Sequence, residues 1–212
     1  MSGTDPFGRG RVRRLFGLDR SAPPPPSTRK GEPLQPWTIP NAVGYLRLAA
    51  LPVFLILAYN TEDGTSLASA MVYWAIAAGD YLDGILARIT GQYSRMGALL
   101  DPLVDRLTIL AGAVVCWSFD LLPHWALALL ALRELAMLFL AWYGLRHGVD
   151  IEVNWPGRIS VFPIMGGIFL ALLAPGWVAS ALLIWGLAMA IIATVLYAQA
   201  GLRATRAARG AS

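Results

Sequence analysis

Four aspartates, Asp80, Asp83, Asp101 and Asp105, fall within twenty-six residues of a chain that is otherwise mostly apolar. The first pair is three residues apart and the second four, so on helices each pair shares one face. Two antiparallel helices joined by a short turn then aim two carboxylates each at one point. Four carboxylates this close do not all stay ionised without cations between them. Oxygen donors with no histidine or cysteine among them suit magnesium or manganese rather than zinc. Four acids can hold two such ions about 3.5–4 Å apart, the spacing that clamps both oxygens of a phosphoryl displacement. The expected cofactor is therefore a pair of Mg2+ or Mn2+ ions.

The residues between the acids fit a phosphate-bearing substrate. Gly84 follows Asp83 directly and Gly97 lies four positions before Asp101. A glycine in a helix costs about 1 kcal/mol relative to alanine, but it lets a ligand approach the backbone. Ala87 keeps the same face shallow. Arg88 supplies a planar guanidinium suited to phosphate oxygens.

The elements that must position these groups read as membrane helices. Hydrophobic residues make up 57% of the 212 and charged residues 14%, where a soluble domain carries about 25% charged. A carboxylate at the centre of a membrane helix costs roughly 2.5–3.5 kcal/mol on insertion scales, so four of them need compensation. The first 36 residues are basic and then proline-rich, and read as a disordered cytosolic tail whose arginines meet anionic lipid. No apolar stretch follows the basic region before Pro40, so a cleaved signal peptide is not expected. From Asn41, a plausible helix cap, onward, six apolar stretches can be drawn, near residues 42–59, 67–88, 97–119, 123–143, 159–174 and 177–200. The fold class is thus all-α, a polytopic membrane protein of six transmembrane helices. The membrane domain covers residues 37–202, and a short basic cytosolic tail covers 203–212.

Orientation follows from the basic residues. The N-terminal tail carries Arg9, Arg11, Arg13, Arg14, Arg20, Arg29 and Lys30, seven of the seventeen. Arg95 lies in the second connection, Arg146 and Arg158 in the fourth, and Arg203, Arg206 and Arg209 in the C-terminal tail. The other connections, "NTEDGTS", "DLLPH" and "APG", contain none. Both termini and the two basic loops therefore face the cytoplasm of a bacterial cell membrane. The four aspartates end up toward that side. Trp117, Trp125 and Trp177 fall near the outer boundary, and Trp142 and Trp155 near the inner one, as interfacial tryptophans tend to.

The run Asp80-x2-Asp83-Gly84-x2-Ala87-Arg88-x8-Gly97-x3-Asp101-x3-Asp105 resembles the signature of the CDP-alcohol phosphotransferase family, with every element and spacing met. The resemblance implies transfer of a phosphoryl-alcohol group from a CDP-linked donor to a hydroxyl acceptor, with release of CMP. It further implies that the four aspartates hold two divalent ions and that Asp105 deprotonates the acceptor. Gly84, Ala87, Arg88 and Gly97 would line the CDP site. "TIPNAVGYLRLAALPVF" is similar to the opening of the bacterial phosphatidylglycerophosphate and cardiolipin synthases of this family, which points to CDP-diacylglycerol as donor. Arg133, beside Glu134, and Arg158, in "NWPGRIS", are the candidates for the acceptor's phosphate. Glycerol 3-phosphate is the expected acceptor, giving phosphatidylglycerophosphate. Phosphatidylglycerol, giving cardiolipin, is the alternative, because the lysine-threonine pair usual after this loop's glycine is replaced by Ile159 and Ser160 after Arg158. Membrane lipids are expected partners, nucleic acid is not, and a homodimer is implied by the resemblance alone.

A proton- or ion-coupled transporter is the rival from another class, but it would scatter acids along a path through the bilayer. Several residues have plainer readings beside the functional ones. Arg133 can pair with Glu134, and Arg158 can anchor at the inner leaflet. Arg47, early in the first span, either faces the donor or snorkels to the interface. His124 reads as interfacial, His147 as solvated, and Cys116 as a small buried hydrophobe. "MGG" at 165–167 offers small residues for close helix packing.

Overall fold

Thr38 opens the first helix. Its hydroxyl accepts from the Asn41 amide at 3.3 Å and its carbonyl from the Ala42 amide at 3.0 Å, satisfying donors that a helix start leaves without partners. The expected cap, Asn41, instead sits in the first turn and donates its side-chain amide to the carbonyls of Gln35 and Pro36, both at 3.0 Å. Threonine wins because its short side chain stands one residue before the first helical position, while Asn41 lies inside the helix. The computed structural model describes the backbone of residues 35–147 and 160–210 and the side chains of 35–139 and 160–195.

Six helices follow in chain order among the described residues, with no strand. They are α1 Ile39–Tyr59, α2 Leu67–Thr90, α3 Arg95–Ser118, α4 His124–His147, α5 Val161–Leu173 and α6 Trp177–Gly210. Ser66 caps α2 through its hydroxyl, which accepts from the Ala68 amide at 3.1 Å. Gly91, at φ +66 with open space around its α-carbon, ends α2 in the left-handed conformation that glycine adopts without strain. Ser94 then caps α3, accepting from the Gly97 amide at 2.9 Å. The helices lie close to the six apolar stretches read from sequence. The largest departure is α6, whose backbone continues to Gly210, beyond the expected end near residue 200. Past Gly201 its closing run is rich in alanine and arginine, good helix formers, and holds no proline.

Two compact units divide these helices, one holding the residues up to Val53 with Trp74–Thr108, the other Phe54–Tyr73 with Ile109 onward. The first unit buries an unusual share of polar groups, Asn41, Arg47, Asp83, Ser94 and Thr108, beside Leu51, Ile76, Leu100 and Val104. In the second, burial is mainly apolar, including Phe54, Tyr73, Leu127, Ile168 and Leu183. Helices α5 and α6 meet there at glycine: a Cβ on Gly167 would lie 2.8 Å from the Leu183 backbone nitrogen, and one on Gly186 2.8 Å from that of Ile164. Small residues let two backbones come this close. Gly166, its neighbour in the "MGG" run, has open space instead.

Helix α1 and the 19 residues Trp177–Val195 of α6 are long and apolar enough to cross a membrane. Helix α5 is strongly apolar, but its 13 residues extend only about 20 Å at 1.5 Å per residue, short of a hydrocarbon core of roughly 30 Å. Helices α2, α3 and α4 carry several charged residues each, among them Asp80, Asp83, Asp101, Asp105, Arg133 and Glu134. Large apolar side chains, among them Trp74, Leu82, Leu103, Leu132, Phe162 and Ile192, are exposed along the helices.

Candidate active site

The site is built within the first unit, around a guanidinium. Arg47 leaves α1 and is buried, its side chain 3% exposed. Its Nε donates to the carbonyl of Ile76 on α2 at 2.8 Å. Nη1 donates to Asp83 Oδ2 at 3.2 Å and lies 3.7 Å from Asp80 Oδ1, while Nη2 donates to Asp105 Oδ1 on α3 at 2.5 Å. One side chain thus ties three helices through all three of its nitrogens. A buried charge is tolerated when it is paired and hydrogen-bonded. Arginine's rigid fork can do this where a lysine's single ammonium cannot.

The sequence left Arg47 open between facing the donor and snorkelling; the structure buries it among the carboxylates. The signal that marks it is its position, a lone charge in an otherwise apolar helix, which by default needs a partner. A second residue that the sequence reading missed is Gly79. A Cβ there would stand 2.7 Å from Arg47 Cδ, 2.8 Å from Cγ and 3.1 Å from Nε. The methylenes of Arg47 therefore lie flat on α2 where Gly79 leaves a notch, immediately before Asp80.

The aspartates differ in access. Asp83 is buried at 5% side-chain exposure, Asp105 is 27% exposed and Asp80 50%. Asp101 lies one turn before Asp105 on α3, followed by Pro102, which has no N–H to give the helix ladder. Arg47 brings Asp80, Asp83 and Asp105 together, and each can keep a carboxylate oxygen beyond the one turned to the guanidinium. Among the described residues no three acids form a ready metal cage. The donor set still fits a hard divalent cation, since it is oxygen-only and one guanidinium offsets one of four negative charges.

The two motif glycines have different surroundings. A Cβ on Gly84 would meet only Arg88, at 3.4 Å from Nη2, so the Arg88 side chain folds back over that glycine. The Nε of Arg88 is buried without a hydrogen-bond partner. At Gly97 a Cβ would stand 2.7 Å from Asn41 Oδ1 and 3.2 Å from Ser94 Oγ. The Ser94 hydroxyl donates to Asn41 Oδ1 at 2.9 Å, and Gln92 Oε1 accepts from the Ile39 amide at 3.1 Å. Gly97 therefore makes room for the lock between the start of α1 and the turn that joins α2 to α3. Ala87 is half-buried on the same α2 segment.

Arg133, on α4 in the second unit, pairs through Nη1 with Oε1 of the buried Glu134, and its Nε is buried without a hydrogen-bond partner. Arg158 lies outside the described residues, as do the side chains of Trp142 and His147. The Nε2 of His124 lies 3.1 Å from Asp120 Oδ1, and its ring packs 4.5 Å from that of Trp117. Cys116 is fully buried. Asp63, in the α1–α2 connection, accepts from the Thr65 amide and hydroxyl at 3.0 and 2.8 Å, which holds its carboxyl below the usual range.

Comparison with known proteins adds to this geometry. A family model described as CDP-alcohol phosphatidyltransferase matches residues 37–195. Over 170 residues the chain is 38% identical to a Streptomyces coelicolor protein named cardiolipin synthase (CMP-forming), covering 77% of this chain and 79% of that relative. Over 138 residues it is 27% identical to the Bacillus subtilis CDP-diacylglycerol–glycerol-3-phosphate 3-phosphatidyltransferase, covering 59% of this chain and 72% of that one.

Proposed function

The chain belongs to the CDP-alcohol phosphatidyltransferase family, and we propose that it moves a phosphatidyl group from CDP-diacylglycerol to a hydroxyl on a glycerol phosphate group. The observation that carries this reading is the gathering of three motif aspartates around Arg47, with the unpartnered Nε of Arg88 on α2, the helix of Asp80 and Asp83.

Asp80, Asp83, Asp101 and Asp105 would hold the divalent ions. Bound there, the ions supply charge neutralisation for the diphosphate and for the phosphate oxygen left on departing CMP. The chain's own groups account for the rest. Arg88 offers its fork to phosphate oxygens, a charge-assisted contact about twice as strong as a neutral one. Gly84 lets that phosphate come close to α2. Asp105 is the acid with both a bound and a reachable side, since Oδ1 is held by Arg47 and the carboxylate is partly exposed. Its second oxygen takes the proton of the acceptor hydroxyl as the hydroxyl's own oxygen bonds to phosphorus and the phosphorus–oxygen bond to CMP breaks.

Two features support a membrane setting. The helices expose a large apolar surface, more than a soluble domain leaves open, and basic residues sit in alternate connections. On this reading the chain crosses six times, the short α5 with local thinning of the bilayer, with both termini and the aspartates on the cytoplasmic side. There the donor's tails stay in lipid while its nucleotide reaches water.

Glycerol 3-phosphate and phosphatidylglycerol offer the same chemistry, a glycerol hydroxyl linked to a phosphate. The names of the two relatives correspond to one acceptor each, and the 38% identity to the cardiolipin synthase weighs toward phosphatidylglycerol. The test is CMP release from CDP-diacylglycerol by the purified protein in detergent with magnesium. Parallel samples contain glycerol 3-phosphate, phosphatidylglycerol, inositol phosphate or a chelator. Release that depends on one glycerol phosphate acceptor and stops with chelator is the expected result. No release with any acceptor, under magnesium or manganese, would reject the assignment of donor and acceptor.

A further inference from the structure

Arg47 makes more contacts to the acidic cluster than any pairing of charges alone requires. Its Nε bond to the Ile76 carbonyl fixes the plane of the guanidinium. With the plane fixed, Nη1 and Nη2 point to Asp83 and Asp105 on two different helices. The methylenes cannot lift away, because the tip is held by carboxylates, and they lie in the notch at Gly79. We propose that Arg47, seated on Gly79, is a positioning residue that sets the separation of the α2 and α3 carboxylates for divalent-ion binding. The inference rests on the reading that these aspartates take divalent ions, and adds a brace that the motif itself does not contain.

Two physical effects of removing Arg47 oppose one another. Loss of a positive charge next to four acids favours a cation by simple electrostatics. Loss of the brace frees the carboxylates, and groups that orient metal ligands typically contribute 10–100-fold to metal affinity. The contact pattern favours the second effect: a guanidinium present only as a counter-ion would need neither the Ile76 carbonyl nor a glycine beneath its stem.

The test uses the full chain in detergent, stripped with chelator and titrated with Mn2+, the free ion being followed by its electron paramagnetic resonance signal. Melting temperature is recorded with and without Mn2+. Arg47→Gln and Gly79→Ala are expected to lose roughly 10–100-fold in Mn2+ affinity, and the rise in melting temperature that Mn2+ gives the wild type should shrink in both. Arg47→Lys should fall between, since it keeps the charge but not the fork. If Arg47→Gln does not fold, Gly79→Ala decides, because it keeps every charge and only displaces the stem. Variants that bind Mn2+ as well as or better than a wild type that binds it would overturn the proposal alone, better binding meaning that Arg47 only competes for the acids. A wild type that binds no Mn2+ would overturn the metal reading and the proposal with it.

Discussion

At the scale of single residues, the four acids of one motif are not equivalent, and their surroundings separate their roles. Asp83 is buried and held by Arg47, whereas Asp105 is held at one oxygen and partly exposed, which suits the proposed roles of fixed ligand and base. Asp105→Asn keeps the shape and an Oδ1 that Arg47 can still contact, but removes the base. Proton transfer by a placed side chain contributes about 10²–10⁴-fold, so CMP release should fall by at least about 100-fold while the melting temperature shifts little. Near-normal turnover in that variant would sink the base assignment. Arg88 gives a different expectation. Its buried Nε has no partner in the protein, and a hydrogen bond to a charged group contributes about 1.5–3 kcal/mol. Arg88→Ala should therefore raise KM for CDP-diacylglycerol roughly tenfold to a hundredfold, read from initial rates of CMP release. Unchanged KM would remove Arg88 from the donor site.

At the scale of elements, the motif's second glycine works as a joint between helices. Ser94 caps α3 and at the same time donates to Asn41 on α1, so one hydroxyl sets both the start of α3 and its register against α1. A Cβ on Gly97 would push into both partners. Gly97→Ala should cost about 1–3 kcal/mol through a displaced buried acceptor and a weakened cap, seen as a lower melting temperature in detergent. Gly91→Ala is the informative contrast. Space around Gly91 is open, and the cost comes only from its left-handed backbone, about 1–2 kcal/mol. Both variants should melt lower, but only Gly97→Ala should also lower turnover per folded molecule. Equal turnover in the two would make Gly97 a folding residue alone.

This joint also shows how far the sequence can be read. Apolar stretches and their breaks located all six helices, because helix formation here follows local composition, with Ser66, Gly91 and Ser94 acting over a few residues. The spacing of the aspartates was legible for the same reason. Arg47 was not, since its partners lie 36 and 58 residues away and no local pattern links α1 to them. Gly79 was missed because the side chain it accommodates comes from another helix. Thr38 displaced Asn41 as the cap of α1 because the buried Asn41 is engaged elsewhere, with Ser94 and two carbonyls. Arg133 makes the pairing with Glu134 that adjacency in the sequence already offered, because a partner one residue away needs no tertiary structure to be foreseen.

At the scale of the whole molecule, the remaining question is which side of the membrane the acids face. A nucleotide diphosphate does not cross a bilayer unaided, so a site that releases CMP is useful only where nucleotides are made. The basic residues point the same way, since Arg95 opens α3 just after the α2–α3 turn, while the connections around Asp63 and Asp120 carry no lysine or arginine. The inward excess of lysine and arginine is a strong guide to orientation. Single cysteines at Asp63, Gln92 and Asp120 can test it in intact cells with a membrane-impermeant maleimide. The native Cys116 is fully buried and should give little background. The substituted cysteines at 63 and 120 should label from outside, and the one at 92 only after the membrane is permeabilised. Labelling at 92 in intact cells would put the aspartates on the outer face, and cytoplasmic CDP-diacylglycerol chemistry at this site would then be untenable.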